Sequence, residues 1–175
     1  MSLIQNKQFL VKLGAVGDSF GPGWDEAGYG EVRKILLSHG DAINSIQVSY
    51  CTEGTSVLAH RHGGSGDKFD CINLESWETL TMVKGYYGPL AGRYENVVRS
   101  LTFGTNGGTY GPFGIQEGTP FCFNVRSGVY FGGFHGHSDD RYLLAIGIYV
   151  KPMATYHYRP KPGRSDAPPY FYSAD

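Results

Sequence analysis

Alternation of apolar and polar positions gives the first reading of the chain. "NSIQVSY", "CINL", "RSLTF", "FCFNV" and "LAIGIYV" alternate or run apolar over short spans, as half-buried or fully buried strands do. "GG", "GP" and "NG" pairs bound them and read as tight turns, because glycine and asparagine tolerate the backbone angles such turns need. The best helix candidate is "ESWETLTMV", from Glu75 to Val83. It is short and rich in Thr and Trp, residues that favour strands, so a strand is predicted there too. The fold class is all-β.

The pattern also repeats. "DAINSIQVSY" from Asp41, "ENVVRSLTFG" from Glu95 and "DRYLLAIGIYV" from Asp140 share one design. A polar start is followed by two apolar residues, a variable residue, Ser or Ala, an aliphatic and then a strand. The variable residue is Asn44, Arg99 and Leu144 in turn. Glycine-rich loops recur as well: "GDSFGPGWD" from Gly17, "GGSGDKFD" from Gly63 and "YGPFG" from Tyr110, spaced 46 to 48 residues apart. Three such units predict three similar sheets around one core, with Ile46, Leu101 and Ile146 at equivalent inward positions.

Composition narrows the function. At 175 residues the chain is long enough for one domain with a sizeable core. Fifteen basic and 16 acidic residues leave a net charge of −1. With no basic stripe, nucleic acid is not an expected partner. No run approaches the roughly 18 apolar residues of a membrane span, so no membrane partner is expected. "MSLIQNKQFLVKLG" lacks the apolar stretch of a signal peptide, which predicts a cytoplasmic protein. Cys51, Cys71 and Cys122 are odd in number and widely spaced; buried, reduced thiols are expected. From residue 153 to 175 the chain carries four prolines and five aromatics. That segment reads as a separate tail, extended by its prolines and docked by its aromatics.

Histidines come in two alternating pairs, His60 with His62 and His135 with His137. Alternate strand residues share a face, and two histidines on one face can bind zinc, copper or iron. The stretch from Gly54 to His62 resembles the first metal motif of cupins, which makes a cupin-type metal-dependent oxygenase an alternative. However, the glutamate of that motif is missing, with Asp67 nearby instead, and no second motif follows. Ordinary strand-end histidines, no metal and no cofactor are expected. Glu75 and Glu78 have the spacing of an acid–base pair, but exposed strand carboxylates are the expected reading. There is no GxSxG motif, and "GTNGGTYG" lacks the lysine of a phosphate loop; no enzyme is expected. Glycine loops beside acidic loops suit a small, polar, uncharged ligand. A sugar's vicinal hydroxyls match a carboxylate's two acceptors and the N–H donors of a glycine-rich turn.

"GPGWDE", "HGGSG", "VKGYYG", "VVRSLTFGTNGGTYGPFGIQEGTPF", "GGFHGHS" and "AIGIYVKP" together resemble the jacalin-related plant lectins. The resemblance covers residues 9–152, leaving 153–175 as the tail. It implies a β-prism of three four-stranded Greek-key sheets with pseudo-threefold symmetry. It also implies non-catalytic binding of mannose- or glucose-containing glycans, a role in defence or stress, and a homodimer or higher oligomer.

In the family the main site joins the first glycine loop to the loop before the last strand, where the pattern is glycine, three residues, aspartate. Ala145-Ile146-Gly147 sets the register, so the aspartate position falls on Leu144 and the glycine position on Asp140. The expected main site is Gly21, Tyr86 as an aromatic wall, Asp139 or Asp140 in place of the lost carboxylate, and the backbone N–H groups of Arg141 and Tyr142. Leu144 is expected to face inward. A possible second site joins Gly40, Asp41 and Asn44 to Gly66 and Asp67. The third loop pair carries Arg99 at the acidic position, and no sugar is expected there. Loss of the main carboxylate leaves one more alternative, a lectin-fold interaction module without sugar binding.

Overall fold

The computed structural model describes residues 10–152. The tail at 153–175, with its expected docking, lies outside the described residues. Thirteen strands and no helix are found among the described residues. The chain begins with β1 (Val11–Gly17) and β2 (Gly23–Asp25). Next come β3 (Glu31–His39), β4 (Ile43–Thr52), β5 (Thr55–Leu58), β6 (His62–Gly63) and β7 (Lys68–Asn73). They are followed by β8 (Leu80–Pro89), β9 (Asn96–Thr105), β10 (Thr109–Gly114) and β11 (Thr119–Asn124). The last pair is β12 (Val129–Ser138) and β13 (Leu143–Pro152).

One connection is used three times. Each sheet centres on a hairpin, β3–β4, β8–β9 or β12–β13, flanked by two outer strands. In the first sheet β1 lies on β13 and β2 on β12; in the third, β10 lies on β9 and β11 on β8. The second sheet departs from the four-strand expectation. Its outer strand on β4 is broken into β5 and β6, while β7 pairs with β3. All pairings are antiparallel, and the whole is a β-prism.

Alternation places the core where the repeat predicts it. Ile46, Leu101 and Ile146 are fully buried, together with Tyr50, Phe103 and Phe134. Polar side chains join the sheets at their corners. Glu26 follows β2 and accepts hydrogen bonds from His62 Nε2, at 2.8 Å, and from the Tyr50 hydroxyl. Burial, with the adjacent Glu26 carboxylate, pushes the Tyr50 phenol well above its ordinary range. His62 also stacks on Trp24, with centroids 3.9 Å apart. At a second corner His39 accepts the Gly114 N–H at 3.3 Å and donates to Asp70 at 2.6 Å.

Two expectations need correction. Glu75 to Thr79 form a loop, and the strand starts only at Leu80. Glu78 is buried there, not exposed on a strand. Its carboxylate accepts from Thr105 Oγ1 at 2.6 Å, Tyr110 at 2.8 Å and the Glu75 N–H at 3.1 Å. The Thr105 bond is the main cause of its lowered pKa; burial opposes it, and the Tyr110 and Glu75 donors add to it. Such side-chain acceptors compete with a strand ladder for the backbone. The cysteines are free, but Cys71 and Cys122 are exposed and Cys51 is half-buried. Cys71 and Cys122 belong to strands whose alternate positions face outward.

Candidate functional site

Three loops meet at one end of the prism: residues 18–22 between β1 and β2, 90–95 between β8 and β9, and 139–142 between β12 and β13. Asp18 ties the first two together. Its Oδ1 accepts the Phe20 N–H at 3.0 Å, its Oδ2 accepts the Asn96 N–H at 3.2 Å, and its own N–H donates to the Leu144 carbonyl at 3.0 Å. Gly21 closes the turn at φ +95°, a conformation that glycine adopts without strain. A Cβ built on Gly21 would stand 3.0 Å from Leu144 Cδ1 and 3.2 Å from the Ser138 carbonyl oxygen. Its carbonyl accepts from His137 Nδ1 at 3.0 Å.

Leu144 faces inward, as the register predicts. It is fully buried in a small apolar cluster with Ala42 and Val97, covered by Leu90 and Tyr142. Asp139, however, turns back on its own loop. Its Oδ1 accepts the N–H groups of Arg141 at 2.8 Å and Tyr142 at 2.7 Å. An aspartate two residues ahead of its donor makes a local turn of this kind. The sequence reading assigned those two N–H groups to sugar; here they are already taken. Oδ2 accepts from Arg93 Nη2 at 2.5 Å, and the guanidinium lies 5.1 Å from the Tyr142 ring centroid. Burial works against the charge of Asp139, but the two N–H donors and Arg93 outweigh it and hold the carboxyl below its ordinary value.

Asp140 is exposed and makes no side-chain bond among the described residues. Its backbone packs against the second glycine loop: a Cβ on Gly64 would meet the Asp140 carbonyl oxygen at 2.4 Å and Arg141 Cα at 2.8 Å. Tyr86 does not join these loops. It lines a separate hollow on the third sheet with Lys84, Thr102, Gln116 and Phe121, because it sits inside β8, well short of the apex. Another cavity is at the opposite end of the prism, by Leu10 and Pro152. Sequence reasoning missed Arg93 and Tyr94, which lie in an unremarked loop of the neighbouring repeat. Tyr94 is fully exposed and Phe20 is 65% exposed.

The second set of residues does converge. Gly40 lies beside Asp67 Oδ2, and a Cβ on Gly66 would fall 2.1 Å from Asn44 Oδ1. Asn44 is buried, and its Nδ2 donates to the Arg141 carbonyl at 3.2 Å. At the third pair, Arg99 donates to the carbonyls of Asp41 at 3.1 Å and Pro89 at 2.9 Å, and to Glu117 at 3.1 Å. The paired histidines are dispersed. His60 is exposed, His62 is held by Glu26, His135 donates to the Leu13 carbonyl at 3.0 Å and His137 to Gly21. No group of three potential metal ligands occurs among the described residues.

Residues 13–149 match the family model of the jacalin-like lectin domain. The chain belongs to that family. It is 39% identical over 153 residues to jacalin-related lectin 19 of Arabidopsis thaliana, covering 86% of each chain. It is 41% identical to jacalin-related lectin 3 of the same plant over 82% of its own length, but spans only 24% of that longer protein. Among solved structures, artocarpin complexed with Me-α-mannose is 38% identical, with a TM-score of 0.76 over 81% of this chain and 97% of that one. A mannose-specific jacalin-related lectin from Morus nigra, in complex with mannose, gives the same identity and TM-score over 81% and 94%. This jacalin-like lectin domain therefore shares its prism with proteins solved with sugar bound.

Proposed function

We propose that the chain binds a neutral hexose of mannose or glucose type at its apex, across the 18–22 and 139–142 loops. The Gly21 N–H donates, and the Asp140 carboxylate accepts from vicinal hydroxyls. One observation carries this reading. Asp18, Asp139 and the N–H groups of Phe20, Arg141 and Tyr142 are all satisfied within the protein. The Gly21 N–H and the Asp140 carboxylate have no partner among the described residues. Unspent polar groups on loops carried by a rigid scaffold are what a ligand meets. Phe20 and Tyr94, both exposed, offer apolar faces to the C–H side of a sugar ring. The mannose complexes of related proteins support the choice of sugar.

Titration with methyl α-mannoside tests the reading. Millimolar affinity corresponds to about −4 kcal/mol, and a hydrogen bond to a charged group contributes about 1.5–3 kcal/mol. Asp140→Ala should therefore reduce binding to the edge of detection. Undiminished affinity in that variant would place the accepting carboxylate elsewhere. A second reading rests on Leu144, which seals with hydrocarbon the position where the family pattern carries an aspartate. On that reading the chain is an interaction module on a lectin fold, and a glycan array would stay silent for every neutral hexose.

A further inference from the structure

The three repeats place Asn44, Arg99 and Leu144 at one equivalent position. Asn44 Nδ2 donates to the carbonyl of Arg141 and Arg99 Nε to the carbonyl of Asp41. Those two acceptors are themselves equivalent, each three residues ahead of the variable position in its own repeat. Two sheets of the prism thus reach across to the same carbonyl of the next one. In the remaining repeat Leu144 has no donor, and it packs against Val97 and Ala42 instead.

We propose that Asn44 and Arg99 are struts between sheets and not sugar contacts, and that Asn44 holds the 139–142 loop through the Arg141 carbonyl, so that the chain binds one sugar and not two. Asn44 is buried and faces the protein, not solvent. Its Nδ2 is spent on Arg141 and its Oδ1 lies under Gly66. All three nitrogens of Arg99 are likewise engaged. The strut suits an amide and not an acid. A carboxylate would set acceptor against acceptor at the Arg141 carbonyl, whereas the amide supplies the donor. With Arg93 of the third sheet gripping Asp139 and Asn44 of the second gripping Arg141, the loop is clamped from both neighbours. Asn44 is then a positioning residue for the main site. Its effect on affinity rests on the sugar reading given above; its effect on the loop does not.

The test uses the full chain, wild type beside N44D, N44A and D67A. Calorimetric titration with methyl α-mannoside gives affinity and stoichiometry, and amide hydrogen exchange reports on the Arg141 and Tyr142 N–H groups. Wild type should bind one sugar per chain. N44D and N44A should keep that stoichiometry, weaken binding roughly 3- to 10-fold as expected for one neutral hydrogen bond, and exchange faster in the loop. D67A should change neither measurement. Two sugars per chain, falling to one in D67A, would make Asn44 part of a second site and overturn the proposal. Unchanged exchange in both Asn44 variants would also overturn it. N44A adds no charge and keeps the test open should N44D fail to fold. If wild type binds no hexose, the sugar reading fails, and the exchange measurement still decides whether the strut exists.

Discussion

Asp139 shows how one side chain serves its loop before it serves a ligand. Its carboxyl is held below the ordinary value despite partial burial, by two backbone donors and Arg93. The folded state therefore gains from the charged form. That gain is complete above the unfolded value of about 3.9 and is lost as pH falls through the lower folded value. Asp139→Asn should cost about 1–3 kcal/mol at pH 7, and denaturant unfolding should show the gap closing as pH falls through the lowered folded value. A gap of constant size would mean that the charge is not its source. Leu144 was legible from the sequence, because an aliphatic in register with Ala145-Ile146-Gly147 points to the core. The turn made by Asp139 was not, since a local brace and a sugar ligand use the same residue type. Its partner Arg93 is 46 residues away, beyond the reach of any local pattern.

Strands were the most readable scale, because period-two alternation and the repeat agree in β4, β9 and β13. Ile46→Ala, Leu101→Ala and Ile146→Ala should each cost about 2–5 kcal/mol in chemical denaturation. A cost near zero at any of them would break the equivalence of the three sheets. What the pattern could not show is where a strand stops. The acceptors of Glu78 delay β8 until Leu80, and only the three-dimensional pairing reveals that β4 has two short partners. Within β12, His135 is buried, and burial above all lowers its pKa, against the pull of its bond to the Leu13 carbonyl. The lowered value favours the neutral ring in the folded chain, so the unfolded chain takes up the proton first. Stability is whole above the ordinary histidine value of about 6.5 and falls as pH drops through the lower native value. His135→Gln should remove that slope, as stability measured from about pH 5 to 7 would report.

For the molecule as a whole, a net charge of −1 and the neutral hexose proposed above predict binding that ignores salt. Raising sodium chloride tenfold should shift mannoside affinity by less than about twofold, because only interactions between exposed charges are screened; a steep loss would point to an anionic ligand. The pairing of β1 with β13 has another consequence. Val11 lies opposite Val150 at one end of that pair, and Gly17 lies opposite Ala145 at the other. Six residue steps of about 3.3 Å separate the ends by about 20 Å. Leu10 and Pro152 thus leave side by side from the floor of the prism, while the 18–22 and 139–142 loops crown its roof. A cargo tethered at the floor trails behind the crown without shading it. Fusing a bulky protein to either end of a chain trimmed to residues 10–152 should leave mannoside affinity as it was. Copies of such a prism can be threaded like beads on one string, every crown left facing outward.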